Sequence, residues 1–143
     1  MQYDDTEVGK AWTLYILGTL AEDWPRRVSF DANILIENTQ VHPRGSSDVD
    51  ETFYGLIDWL ENEGLIRFDR KTLGDSWVED VQITAKAMDA IGHALPTAKG
   101  GAGAHLKSIA VGAGSEAGKA AIAETVGLVI GAAVRSFTGA GAS

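Results

Sequence analysis

The chain has 143 residues, 45% hydrophobic and 22% charged, with four Trp and no Cys. That length holds one domain plus an appendage, its apolar content suits a packed core rather than a disordered chain, and without cysteine neither disulfides nor thiolate metal sites enter. The net charge of −8 is uneven: residues 1–98 carry 18 acids against 8 Lys/Arg, a net of −10, and residues 99–143 carry two acids against four Lys/Arg, a net of +2.

The first part therefore repels polyanions, while the last part attracts them or attracts the first part. Met1-Gln2-Tyr3-Asp4-Asp5 has no basic n-region and is followed by no secretory h-region. No uncharged apolar run reaches the roughly 18–20 residues of a membrane span. The expectation is a cytoplasmic protein whose membrane contact is at most peripheral.

A first helix is predicted from about Thr6 to Asp23, where Val8, Trp12, Tyr15, Ile16 and Leu20 recur at helical spacing and Leu14 and Leu17 widen the stripe. Pro25 ends it. A short second helix, from Ser29 or Asp31 to about Glu37, carries Ile34, Leu35 and Ile36. Thr39 to Ser47 reads as a loop from its Pro, Gly and Ser content. The third helix begins at Ser47 as cap, with Asp50 near capping-box spacing, and buries Val49, Phe53, Ile57 and Leu60, with Leu56 beside them. Gly64 stands at the position of a left-handed C-terminal cap. Two strands, 65–70 and 77–83, flank a turn containing Gly74-Asp75 and read as a hairpin. Thr84 caps a fourth helix through Ala87, Met88, Ile91 and Leu95, which Pro96 stops.

This order, with the strings Leu56-Ile-Asp-Trp-Leu-Glu-Asn-Glu-Gly-Leu-Ile66 and Val81-Gln-Ile-Thr-Ala-Lys-Ala87, resembles the winged-helix form of the helix-turn-helix superfamily over about residues 6–96. In that superfamily a Leu-rich third helix ends in a Gly-Leu-Ile step into the wing, and a Leu/Ile-Thr pair caps the next helix. Ala87 departs from the pattern, since many relatives have Gly there. The resemblance implies a mainly α fold with a small β-hairpin and, in DNA-binding relatives, a third helix in the major groove.

The third helix argues against that use. Between Arg44 and Arg67 there is no Lys or Arg, and Asp48, Asp50, Glu51, Asp58, Glu61 and Glu63 take the places where base and phosphate contacts would stand. Arg26, Arg27, Arg70 and Lys71, with Arg67, could form a minor phosphate-contacting patch, or they are solvated charges on an acidic surface. The more natural use of the acidic helix is a protein-partner face of Asp50, Glu51, Tyr54, Asp58 and Glu61, with Tyr54 as anchor; alternatively Tyr54 packs against the wing.

From Lys99 the composition changes. Ten of the 17 glycines lie in the last 44 residues. The expected organisation is a winged-helix-like domain over 1–96, a Gly-rich linker over 97–104 and a Gly/Ala-rich helical tail over 105–143. The tail helix is predicted from about Ser115 to Phe137, with Ile122, Val126, Val129, Ile130, Val134 and Phe137 as its apolar stripe. Gly114 and Gly118, and Gly127 and Gly131, are spaced four apart, the spacing that lets helix backbones approach closely. Each helical glycine costs about 1 kcal/mol relative to alanine, so such a helix needs something packed on it. It could dock on its own domain, on copies of itself or on a membrane. Between Lys119 and Arg135 the helix runs about 22 Å at 1.5 Å per residue, short of a bilayer core of about 30 Å, and Glu124 interrupts it. Self-association through Gly118, Ile122, Val126, Gly127, Ile130, Gly131, Val134 and Phe137 is the favoured reading.

Catalytic signatures are weak. Ala113-Gly-Ser-Glu-Ala-Gly-Lys-Ala120 mimics a phosphate-binding loop, but the hydroxyl position is Ala120, the first Gly position is Ala113, and only 23 residues follow. His42, His93 and His105 share no metal-ligand spacing with carboxylates, and no G-x-S-x-G motif is present. Paired acids such as Glu61 and Glu63 sit on a charged helix face. No catalytic residue, cofactor or metal is expected. The favoured function is a non-enzymatic protein-interaction and assembly protein that binds a protein partner and forms a homo-oligomer. The alternatives are a winged-helix transcription regulator and a small membrane-active effector working through its tail.

Overall fold

The computed structural model describes residues 5–43, 48–72, 76–95, 101–113 and 115–142, with the side chains of 5, 48, 70–72 and 136–142 outside that description. The protein is mainly α with a small antiparallel sheet. In chain order the elements are α1 (Asp5–Asp23), β1 (Val28–Asp31), α2 (Ala32–Thr39), α3 (Asp48–Asn62), β2 (Ile66–Arg67), β3 (Arg70–Thr72), β4 (Trp77–Ile83), α4 (Ala85–Ala94), α5 (Ala102–Val111) and α6 (Glu116–Ala142).

Helix α1 is the hub. Every residue from Ala11 to Leu20 is buried, which a helix achieves only when other elements surround it. Here α2, α3, α5, α6 and β4 all pack on it. The indole Nε1 of Trp12 donates to the carbonyl of Val41 at 3.1 Å, tying the chain after α2 to the hub.

Strand β4 is central in the sheet. β1 pairs with it on one edge, and β2 and β3 pair with it on the other in one uninterrupted register, from Ile66 opposite Ile83 to Thr72 opposite Trp77. Phe68 and Asp69 merely separate two pieces of one hairpin strand. On the β1 edge β4 carries one extra residue between Val78 and Val81, and Asp80 there has φ +57° while its N–H meets Ser29 Oγ at 3.3 Å. This is a β-bulge, which bends the strand locally.

The caps explain where the helices begin. Asp31 Oδ1 accepts from Ile34 N at 2.8 Å to start α2. Thr84 Oγ1 accepts from Ala87 N at 3.2 Å to start α4 and donates to the Gly64 carbonyl at 2.6 Å. Gly64 ends the turn after α3 with φ +75°. Ser115 Oγ accepts from Gly118 N at 2.9 Å to start α6.

Two expectations are corrected. Of the two starts expected for the second helix, Asp31 holds as its cap and Ser29 does not: residues 28–31 are a strand, with Val28 and Phe30 paired to β4, and this tertiary pairing overrides local preference. The Gly-rich linker expected over 97–104 is helical from Ala102, because Gly103 lies directly against α1. The Ser47 cap, the Gly74-Asp75 turn, Pro96 and residues 97–100 of the linker lie outside the described residues.

Helix α6 buries Ile122, Thr125, Val129, Ala132 and Ala133 and packs chiefly on α4 and secondarily on α1. Its 20 residues Glu116–Arg135 are long and apolar enough to cross a membrane by length and composition, and those five are the ones among them buried within the chain. The expectation of no span demanded an uncharged run, a condition that Lys119 and Glu124 fail.

Candidate functional site

Where α1, α3 and α6 meet, the surface opens into a groove of about 720 Å³. The α3 wall consists of Leu56 and Trp59, and Trp59 is 41% exposed. The α6 wall is Ala123, Val126, Gly127, Ile130 and Gly131. The floor comes from the N-terminal half of α1, through Gly9, Thr13 and Lys10. Space at the positions of Gly9 and Gly127 is open: a Cβ built there meets nothing within 4 Å. Missing side chains thus widen the groove, and Lys10 is the one charged residue among its described lining residues.

A smaller cavity of about 160 Å³ lies on the other side of Lys10, between α1 and the start of α6. There Lys119 Nζ stands 3.9 Å from Glu7 Oε2 and 3.7 Å from Glu116 Oε1. Further along α1, Lys107 Nζ of α5 donates to Glu22 Oε1 at 3.0 Å. That hydrogen bond holds the Lys107 ammonium above its ordinary pKa against the opposing pull of partial burial.

The predicted residues fall in different places. Val126, Gly127, Ile130 and Gly131 share the groove, whereas Ile122 is buried and Gly118, in the first turn of α6, lies against the backbone of Gly112. Val134 is 55% exposed, and the Phe137 side chain lies outside the described residues. On α3, Asp50 accepts a hydrogen bond from Ser76 Oγ, Tyr54 is half-buried with its ring edge-on to Phe53, centroids 5.4 Å apart, and Asp58 is half-buried, while Glu51 and Glu61 are exposed. Arg26 is exposed, Arg27 pairs with Asp69 at 3.2 Å, and the side chains of Arg70 and Lys71 lie outside the described residues.

Sequence reasoning missed the α1 and α3 sides of the groove as a site: Thr6, Gly9, Lys10 and Thr13, and Leu56 and Trp59, as well as Ala123 on α6; for Trp59 a signal was there. The available signal was a large aromatic lying off the Phe53, Ile57 and Leu60 stripe. The string resembling a phosphate loop spans the α5–α6 turn, with the Ser115 hydroxyl occupied as a helix cap. Among the described residues no cluster of three or more His, Cys, Asp or Glu is arranged to hold a metal ion. The groove offers apolar area, open backbone at glycine and one ammonium, a chemistry of contact between helices. Compared with protein-family models, curated proteins and solved structures, the chain matches none.

Proposed function

We propose that this is a non-enzymatic assembly protein: a winged-helix body that presents α6 and the groove beside it to other protein chains, first of all to copies of itself. The observation that carries this is the uncovered part of α6. Only five of the 20 residues of Glu116–Arg135 are buried, and Leu128 and Val134 are 44% and 55% exposed. A helix this apolar is ordinarily buried against other elements, so one that leaves large apolar side chains uncovered points to a partner.

The winged-helix reading of the body draws support from the element order and from β1 flanking a β2/β3–β4 hairpin behind three helices. Fold alone does not assign function, and the regulator alternative has the acidic α3 and the engaged Arg27 against it. A protein occupant fits α6 better than a bilayer, because Glu124 stands exposed in the middle of the apolar stretch.

Light scattering on the full chain and on Leu128→Asp, beside flotation with anionic liposomes, tests the reading. A discrete oligomer that Leu128→Asp converts to monomer, with no flotation of either protein, is the expected result. A monomer at all concentrations overturns it. If that monomer floats with liposomes, the membrane reading takes its place.

A further inference from the structure

We infer that two copies of this chain pair antiparallel along α6 about a two-fold axis between Val129 and Ile130, with Glu124 of each copy facing Arg135 of the other; this rests on the assembly reading above and gives it a geometry. Glu124, Leu128, Gly131 and Arg135 follow one another at spacings of four, three and four, the spacing of a helix–helix seam. Ala117 and Ala121 continue it toward the N-terminus. The stripe lies on the side of α6 away from buried Ile122 and Val129, and Glu124, Leu128 and Arg135 are all exposed.

Two independent features select a second copy as the occupant. The first is charge. Glu124 and Arg135 are eleven residues apart, about 16 Å along the axis, too far to pair within one helix. Among the described residues neither has an ion-pair partner. Rotating the helix by a half-turn about the stated axis exchanges their positions, so two pairs form at once. A self-complementary patch of this kind is what a two-fold interface requires.

The second is shape. The same operation sets Leu128 of one copy over Gly131 of the other, a large side chain over a residue with none. In the isolated chain Arg135 Nη1 lies 3.4 Å from where a Cβ on Gly131 would stand. The guanidinium therefore covers the glycine until it swings to Glu124 of the second copy, which opens the space for Leu128. With small residues along the seam the axes can approach to about 8 Å.

The test is a charge exchange read by analytical ultracentrifugation, on the full chain and on three variants: Glu124→Lys, Arg135→Glu and the double exchange. Each single variant meets like charges twice in its own dimer, and each should weaken self-association at least about tenfold. An equimolar mixture of the two single variants should form a heterodimer with near wild-type affinity. In that heterodimer the two introduced charges, of opposite sign, face each other at one pair, and the untouched Arg135 and Glu124 face each other at the second. The double exchange should dimerise like the wild type. Both positions are exposed, so thermal melts taken at concentrations where every protein is monomeric should be unchanged.

If the wild type dimerises but the single variants dimerise equally well, the antiparallel pairing falls and the assembly reading stands. Single variants that weaken while their mixture is not rescued overturn the register. A wild type that is monomeric throughout overturns both readings.

Discussion

Gly18 of α1 and Gly103 of α5 lie face to face, each occupying the space that the other's side chain would need. A Cβ on Gly18 would stand 2.8 Å from the Gly103 carbonyl oxygen and 2.7 Å from Lys107 N; a Cβ on Gly103 would stand 2.9 Å from the Gly18 carbonyl oxygen and 2.6 Å from Glu22 N. Every one of these obstacles is backbone, which cannot swing aside. The small-residue packing suggested by the tail's glycines is therefore realised within the chain, at a pair that the GxxxG spacing did not indicate.

Substituting either partner tests this directly. Gly18→Ala and Gly103→Ala should each destabilise the protein by about 1–3 kcal/mol, the range for overpacking a well-fitted contact. Gly92→Ala on α4, where a Cβ meets nothing within 4 Å, should instead stabilise by up to about 1 kcal/mol through helix propensity. Thermal and urea melts of the three variants should move in these opposite directions. A neutral Gly103→Ala would mean that α5 is not held at this distance.

The seam these glycines create also carries the Lys107–Glu22 pair, whose pH dependence has a definite sign. The Lys107 pKa is raised in the folded protein above its ordinary value of 10.5, chiefly by its hydrogen bond to Glu22. A cation favoured by folding contributes stability below its unfolded pKa and loses that contribution as pH rises through the folded one. The side chain is 35% exposed, so screening keeps the contribution to a few tenths of a kcal/mol. Lys107→Gln should therefore cost that amount across pH 7–9, and the gap to the wild type should close as pH rises beyond 10.5. Raising salt to 1 M at pH 8 should narrow the gap too.

What could be read from the sequence follows from how local each determinant is. Helices α1, α3 and α4 and the hairpin carry their own signals: apolar stripes, the Thr84 cap, and the Gly64 turn with its positive φ. Strand β1 carries none, since Val28-Ser-Phe-Asp31 becomes a strand only by pairing across a bulge with residues some fifty positions later. Helix α5 was hidden for the opposite reason: the glycine that makes its start resemble a linker is there for close approach to Gly18. The groove was legible only in pieces. The sequence pattern puts Val126, Gly127, Ile130 and Gly131 on an apolar tail face and makes α3 a partner face, but only the tertiary fold brings Trp59 and Gly127 into one groove.

Gly118 shows how a position with the right spacing for assembly can serve folding instead. Its N–H donates to Ser115 Oγ, and a Cβ on it would collide with the Gly112 carbonyl across the α5–α6 turn. That obstacle is again backbone, and it lies in the connection that aims α6 along α4. Gly118→Ala must therefore open the turn or tilt the first turn of α6, at a cost of about 1–3 kcal/mol. The damage should be local: amides at the start of α6 should exchange faster with solvent, while those of β4 and α3 keep their protection. Self-association should survive once the variant is assayed below its lowered melting temperature, because Glu124, Leu128, Gly131 and Arg135 lie two to five turns further along the helix. A Gly118→Ala variant that folds with unchanged stability and loses only its dimer would reverse this assignment and return Gly118 to the interface.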